Sequence, residues 1–326
     1  MSGRNVYVTR AIPDVGVDLL RRKCDTVAVN SLDRSHTPEE LLEAVRGRDG
    51  VLCQLADRVD AAVMNAAGAC KVFSNFGVGY DNIDVPEATR RGVVVTNTPD
   101  VLTDATADLA WALILAVSRR VVEGDRMTRT GKFTGWAPMA MLGTEVTGKT
   151  LGLLGAGRIG SAVALRARGF RMQVIYSDPI PSETLREEVG ARRVTTEALF
   201  EESDFLSIHV PLRESTRQLV GERLLSLMKP AAFLINTSRG AVVDEKMLVK
   251  FLKARRIAGA ALDVYQDEPK LASGLSKLHN VVLSPHVGSA TVETRNRMSI
   301  LAAENLVAVL EGRRPRAIVN PEVLER

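Results

Sequence analysis

Three constellations in this 326-residue chain could do chemistry. The first is Gly155-Ala-Gly157-Arg158-Ile159-Gly160, which follows the apolar run Leu151–Leu154 and opens the helical run Ser161–Arg168. In a strand–turn–helix setting such glycines cradle a pyrophosphate. The first permits a tight turn, the second lets the backbone approach, and the third lets helix and strand pack closely. A tight turn without a ligand is the alternative. The next strand ends at Asp178, eighteen residues past Gly160. An acid about 20 residues on is the group that bonds a ribose 2′-hydroxyl; a turn residue before Pro179 is the alternative. No Arg or Lys follows Asp178 before Arg186, so a 2′-phosphate would meet a negative charge and no cation. NAD(H) is expected over NADP(H).

Nicotinamide chemistry moves a hydride, and the protein must manage the proton. His is the commonest group for that near neutral pH. There are four. His36 lies in a polar loop, and His279 precedes a strand and so sits at the wrong sheet end. His209 and His286 fall at the C-terminal ends of apolar strands, where ligands bind in open α/β sheets. His286, before the small residues Gly288-Ser289, is favoured; His209, before Val210-Pro211, stays open. Two further strand ends offer partners. Arg239 in Thr237-Ser238-Arg239-Gly240 could clamp a carboxylate with its planar fork, or be a surface-loop Arg. Glu268 before Pro269 could pair with and orient an imidazolium; Asp267 serves as well on chemistry alone, and a turn residue is the bland reading.

Those residues need sheets to hold them. β-branched runs alternate with helical patterns, which predicts parallel sheets covered by helices. Candidate strands in the first hundred residues are Val6–Thr9, Thr26–Val29, Gly50–Gln54, Lys71–Phe76 and Val93–Thr96. Thr37, Pro38 and Glu40 read as N-cap, N1 and capping box of a helix with Leu41, Leu42 and Val45 on its apolar face. The rhythm restarts with Thr150–Leu154, Gln173–Tyr176, Phe205–Val210, Ala232–Asn236, Ile257–Asp263 and Val281–Ser284. Between the halves lie a helical pattern from about Thr103 to Met127 and a Gly/Trp/Pro-containing loop, Gly131–Gly143. Thr291–Leu310 reads as an amphipathic helix, and Arg313–Arg326 as a tail.

Composition narrows the class. Lys+Arg of 43 against Asp+Glu of 39 leaves only +4, scattered, and aromatics are 4%. That argues against a nucleic-acid footprint or stacking platform. The longest strongly apolar stretch, Leu109–Val117, is far below the ~20 residues of a membrane span. Cys24, Cys53 and Cys70 are odd in number and lack metal-ligand spacing, so no metal and no disulfide framework are expected. No signal-peptide pattern opens the chain, and a cytoplasmic protein is expected.

Together, Gly155–Gly160 with Asp178, Asn236-Thr-Ser-Arg239-Gly-Ala-Val-Val-Asp244, Gly259-Ala-Ala-Leu-Asp263-Val, Asp267-Glu268-Pro269 and Ser284-Pro-His286-Val-Gly288-Ser289-Ala290 resemble the D-isomer-specific 2-hydroxyacid dehydrogenases. The resemblance covers nearly the whole chain. It implies an α/β fold of two Rossmann/flavodoxin-like parallel-sheet domains. Residues 101–289, with a dimerisation helix and loop, would form the NAD-binding domain, inserted in a discontinuous substrate domain of residues 1–100 and 290–326. It implies that Arg239, Glu268 and His286 are catalytic and that His209 lies near the nicotinamide. It further implies cofactor contacts from Thr106, Gly155, Gly157, Arg158, Ile159, Gly160, Asp178, His209, Val210, Pro211, Thr216, Thr237, Ser238, Asp263, Gly288 and Ser289.

Asp57-Arg58-Val59-Asp60, Asn75-Phe-Gly77-Val78-Gly79-Tyr-Asp81-Asn82, Thr98-Pro99-Asp100-Val-Leu-Thr-Asp104 and Gly135-Trp136 are most similar to glyoxylate/hydroxypyruvate reductases. That subgroup implies a small 2-oxo acid held by the Val78 and Gly79 amides opposite Arg239, with Leu55 and His286 beside it. It also implies a homodimer in which Trp136 reaches the partner's site, a core or interface Trp being the alternative. Many of these enzymes carry a basic residue after the second strand where this chain has Asp178-Pro179. The chain also has Asp108 where Glu is usual. Gln54-Leu55-Ala56 lacks the cation a phosphorylated substrate would want. Other 2-hydroxyacid, phosphite or formate dehydrogenases, and NAD-sensing corepressors resembling the C-terminal-binding proteins, are the alternative functions.

Overall fold

Why the apolar runs fall where they do is answered by two all-parallel sheets. The computed structural model describes residues 4–32 and 34–325. The chain divides into two units, Met1–Leu102 with Ser289–Arg326, and Thr103–Gly288.

The first unit runs β1 (Asn5–Val8), α1 (Asp14–Lys23), β2 (Thr26–Val29), α2 (Pro38–Ala44), β3 (Gly50–Cys53), α3 (Ala61–Ala67), β4 (Val72–Asn75), α4 (Val85–Arg90) and β5 (Val94–Thr96). The strands lie in the order β2-β1-β3-β4-β5. Every residue of β3, β4 and β5 is buried, as expected of parallel strands covered on both faces. At α2 the Thr37 side chain accepts from the Glu40 N–H, the Glu40 carboxylate accepts from the Thr37 N–H, and Pro38 needs no partner at the first helical position. Leu41 and Val45 are buried beneath it.

The second unit opens with α5 (Thr103–Ser118) and α6 (Val121–Arg129). The sequence suggests one helix here. It breaks because Arg120 is left-handed, φ 55°, and because the Ser118 carbonyl is taken by the Thr144 N–H at 2.8 Å. Then follow β6 (Thr150–Leu154), α7 (Arg158–Ala167), β7 (Gln173–Ser177), α8 (Glu183–Val189), β8 (Arg192–Arg193), α9 (Thr196–Glu202), β9 (Phe205–Ile208), α10 (Glu222–Leu225), β10 (Phe233–Asn236), α11 (Glu245–Lys253), β11 (Gly259–Leu262) and β12 (Val281–Leu283). The sheet order is β12-β11-β10-β9-β6-β7-β8. Its strand order reverses between β6 and β9, which is where a doubly wound sheet offers its crevice. One core layer joins Leu206, Leu234 and Leu262 to α11; the other joins Leu151, Leu153 and Ile235 to α5 and α7. Trp111 is spent inside this second layer, its indole N–H on the Val163 carbonyl at 3.0 Å.

The chain returns to the first unit through α12 (Val292–Leu310), capped by the Thr291 side chain. It is more deeply buried than an amphipathic surface helix, with Leu301, Ala302, Leu306 and Val307 all inside. Truncating Leu306 to Ala would cost about 2–5 kcal/mol. The expected tail is not one as far as Glu325. Ile318 bridges Thr96, the Val319 N–H reaches the Val95 carbonyl at 2.8 Å, and buried Asn320 accepts from the Val95 N–H at 2.8 Å. The physical reason is that β5 is a sheet edge whose unpaired backbone groups need partners.

Candidate active site

The glycine turn stands at the reversal of the strand order. Gly155 is left-handed, φ +98°, and an added Cβ would lie 2.9 Å from the His209 carbonyl. At Gly160 a Cβ would lie 2.2 Å from the Gly155 oxygen, so helix α7 can approach its strand only without one. Gly157 caps α7 and a Cβ there would meet nothing within 4 Å. The space over Gly157 is therefore open, at a helix N-terminus, whose dipole favours an anion. Asp178 follows β7. Its Oδ2 accepts from the Ala156 N–H at 2.9 Å and its Oδ1 from the Ile180 N–H at 2.9 Å. Each oxygen keeps a lone pair for a ribose hydroxyl.

Across the chain from Asp178 the structure brings a cation that the sequence does not place there. Arg193 on β8 donates from Nε to the Asp178 carbonyl at 3.0 Å and from Nη2 to the Pro179 carbonyl at 2.8 Å. A cation therefore does stand at Asp178, contrary to what the sequence predicts. β8 is only two residues long and carries no apolar signal, so pairing with β7, not local pattern, positions Arg193.

His209 follows β9. Its Nε2 shares a hydrogen bond with Ser207 Oγ at 2.8 Å, and burial pushes the imidazole down to about 4. It packs behind the glycine turn, where burial favours the neutral ring. Nearby, Thr216 Oγ1 donates to the Pro211 carbonyl at 2.7 Å and closes the turn after Val210. At the end of β10 the Thr237 hydroxyl is buried with no partner among the described residues. An orphaned hydroxyl here, with open space over Gly157, fits a dinucleotide lying along the strand ends. Ser238 donates to Asn236 Oδ1 at 2.9 Å, and Arg239 Nη1 donates to the Ser238 carbonyl at 2.9 Å.

The β11 and β12 ends form one braced unit. Buried Asp263 accepts from Ser284 Oγ at 2.6 Å, from the Val287 N–H at 2.9 Å and from the Gly288 N–H at 2.8 Å. Its carbonyl accepts from the His286 N–H at 2.8 Å. These bonds hold His286 at φ 53°, a left-handed backbone that a His adopts only when its surroundings impose it. His286 Nδ1 then pairs with Glu268 Oε2 at 2.8 Å. Glu268 Oε1 accepts from the Tyr265 N–H at 3.0 Å. Burial opposes ionisation of Glu268. The His286 bond and charge, the Tyr265 N–H and Arg239 outweigh it and hold the carboxyl below its ordinary range. Glu268, not Asp267, is the residue on the imidazole. No described residue bonds His286 Nε2, so that nitrogen is the one left for a ligand.

Three supports were missed in the sequence. Tyr265 donates its hydroxyl to the Ser284 carbonyl at 2.8 Å, tying the two strand ends. Ser284 braces Asp263. Buried Glu245, pushed up by burial, accepts from the Gln266 N–H at 2.6 Å. Tyr265 lies between two quoted motifs and Ser284 opens another, with no role given to it there; Glu245 carried no signal. Thr106 is buried beside Gly288, whose Cβ would lie 3.4 Å from it. Ser289 begins the return segment and falls in the first unit.

In the first unit, a Cβ on Gly77 would strike Leu55. The Val78 carbonyl accepts from Asn97 Nδ2 at 2.7 Å and the Gly79 carbonyl from Asn75 Nδ2 at 2.7 Å. Their own N–H groups bond to no described residue, leaving two adjacent donors unspent on a fixed turn. Trp136 is 86% exposed, which excludes the core alternative. Among the described residues no group of His, Cys, Asp and Glu could hold a metal ion, and no helix is long and apolar enough to cross a membrane.

The family model described as D-isomer specific 2-hydroxyacid dehydrogenase, NAD binding domain, matches residues 111–288. A glyoxylate reductase of Thermofilum pendens is 49% identical, over 100% of this chain and 97% of that one. A solved structure from Thermus thermophilus is similar with a TM-score of 0.90 and 44% identity, over 97% of this chain and 99% of that one. An NADPH-dependent glyoxylate/hydroxypyruvate reductase of Sinorhizobium meliloti, solved with NADP and malonate, is similar with a TM-score of 0.85 and 34% identity, over 98% and 97%.

Proposed function

The chain belongs to the D-isomer-specific 2-hydroxyacid dehydrogenase family, and on that premise we propose that it reduces glyoxylate or hydroxypyruvate to the D-2-hydroxy acid, preferring NADH. It is an oxidoreductase of the 2-oxo/2-hydroxy acid couple; the substrate, the donor and the residue roles are the proposal. The observation that carries it is the His286–Glu268 pair at 2.8 Å, presented on a braced loop with Nε2 unengaged.

The bound dinucleotide supplies the hydride. His286 gives the Nε2 proton to the carbonyl oxygen, so that no alkoxide charge accumulates. Glu268 keeps the ring oriented through Nδ1 and balances its positive charge. Arg239 holds the substrate carboxylate with its fork, and the unspent Val78 and Gly79 amides are the second set of carboxylate donors. Leu55 limits what lies beyond the carbonyl carbon. Asp178 supports the NADH preference, because a carboxylate accepts from a 2′-hydroxyl and repels a 2′-phosphate. A homodimer is part of the proposal. Phe133, Trp136, Met139 and Leu142 crowd one exposed stretch after α6, an apolar segment that a second copy would cover, with Trp136 reaching the partner's site.

The test follows absorbance at 340 nm with glyoxylate, hydroxypyruvate, pyruvate and a bulky 2-oxo acid, each with NADH and NADPH. Fastest turnover on the first two with NADH is expected. Turnover only on the bulky acid, or none on any, would overturn the substrate assignment.

A further inference from the structure

We infer that Asn97 is a positioning residue for the substrate carboxylate: its side-chain amide aims and polarises the Gly79 N–H. The inference rests on the reading that the Val78 and Gly79 amides take that carboxylate. A trans peptide sets its C=O and its N–H in opposite directions across one plane. Whatever holds a carbonyl of the turn therefore aims the N–H of the next residue. The Gly77 carbonyl, in one plane with the Val78 N–H, accepts from the Thr98 N–H at 3.0 Å. The Val78 carbonyl, in one plane with the Gly79 N–H, accepts from Asn97 Nδ2 at 2.7 Å. Two successive residues after β5 thus fix two successive peptides of the turn. Of these two contacts only that of Asn97 comes from a side chain, so it is the one a substitution can remove.

The Asn97 bond has only one sense. Its partner is a carbonyl, which accepts, so the side chain must present its NH2 group. Hydrogen bonds in a chain polarise one another, so a peptide whose carbonyl accepts becomes a stronger N–H donor. Asn97 therefore adds strength as well as direction to the Gly79 N–H. Asn97 is itself held from behind. Its carbonyl accepts from Asn305 Nδ2 at 3.1 Å, and Asn305 Oδ1 accepts from the Ala317 N–H at 3.1 Å. Asn305 is buried on α12, so the return helix and the segment after it brace the residue that aims the amide. Asn75 acts one peptide further on. It bonds the Gly79 carbonyl at 2.7 Å and so sets the plane of the Tyr80 N–H.

The test measures binding of oxamate, an unreactive anion with a carboxylate beside a carbonyl, to the enzyme–NADH complex by NADH fluorescence. Steady-state kinetics on glyoxylate accompany it. In Asn97→Ala the Kd for oxamate and the KM should each rise about tenfold. The Kd for NADH should stay unchanged and kcat should change far less, the pattern of a lost uniform binding contact. Asn97→Asp keeps the shape, but a carboxylate cannot donate, and it should weaken oxamate at least as much. The first variant empties space without adding charge and the second adds charge without emptying space, so the lost donor is what they share. The second also carries the test should the first not fold. Unchanged oxamate affinity in either folded variant overturns the proposal. So does equal weakening of oxamate and NADH, which would make Asn97 a support of the fold and nothing more. A wild type that binds NADH but no oxamate overturns it together with the carboxylate reading of the two amides. Silence in the turnover assay with the oxamate shift intact would defeat the substrate assignment alone.

Discussion

At the β11–β12 side of the seven-stranded sheet, one buried carboxylate gathers Ser284, Val287 and Gly288, and His286 is held in a left-handed backbone by that frame. At the β7–β8 side of the same sheet, two exposed arginines stand over an open cleft, and only the turn at Asp178 is pinned. The difference follows from what each end has to do. In the proposed function the His286 side chain has to meet a reacting atom within a few tenths of an ångström, and an over-determined loop suits that. The far end of a dinucleotide needs only to be gripped, and charge at an open rim does that with little packing.

The comparison can be broken at its stiff end first. His286→Ala should lower kcat by about 10²–10⁴-fold, the range of a positioned general acid, with NADH affinity by fluorescence retained; near-normal turnover would remove His286 from the chemistry. Asp263→Ala strands three donors and should cost about 3 kcal/mol in urea unfolding, since bonds to a charged group count more than neutral ones. A loss below about 1 kcal/mol would mean the loop holds itself. Glu268→Gln tests the pairing. Glu268 is held ionised by its surroundings, and its charge favours the imidazolium of its partner. Removing that charge while an amide keeps the ring's hydrogen bond should lower kcat by about 10-fold or more with NADH affinity retained; an unchanged kcat would argue that Glu268 only orients the ring. The smallest effect belongs to the open end. Arg192→Ala breaks an exposed ion pair and should change stability by no more than about 0.5 kcal/mol. A cost matching that of Asp263→Ala would erase the contrast between the two ends.

Much of this was legible in one dimension because it is local. A capping box spans Thr37 to Glu40, a phosphate turn spans Gly155 to Gly160, and the strands other than β8 announce themselves as apolar or β-branched runs. Where local pattern is silent the reading erred. The break at Arg120 depends on a distant N–H from Thr144. The segment after α12 reads as a polar tail, yet it satisfies the open edge of β5 through Asn320.

Taken alone, the sequence determined the order of elements, the phosphate turn, the acid at the end of β7 and the set of residues from which a proton donor and its partner had to come. Tertiary structure decided which of them stand together. It buried His209 into neutrality, set Glu268 rather than Asp267 on His286, left Thr237 without a partner, and carried Arg193 fifteen residues back to Asp178. Short-range preferences are written in neighbouring side chains. Protonation, pairing and the balance of charge at a site depend on which strands lie side by side, and parallel pairing joins residues that no local pattern connects.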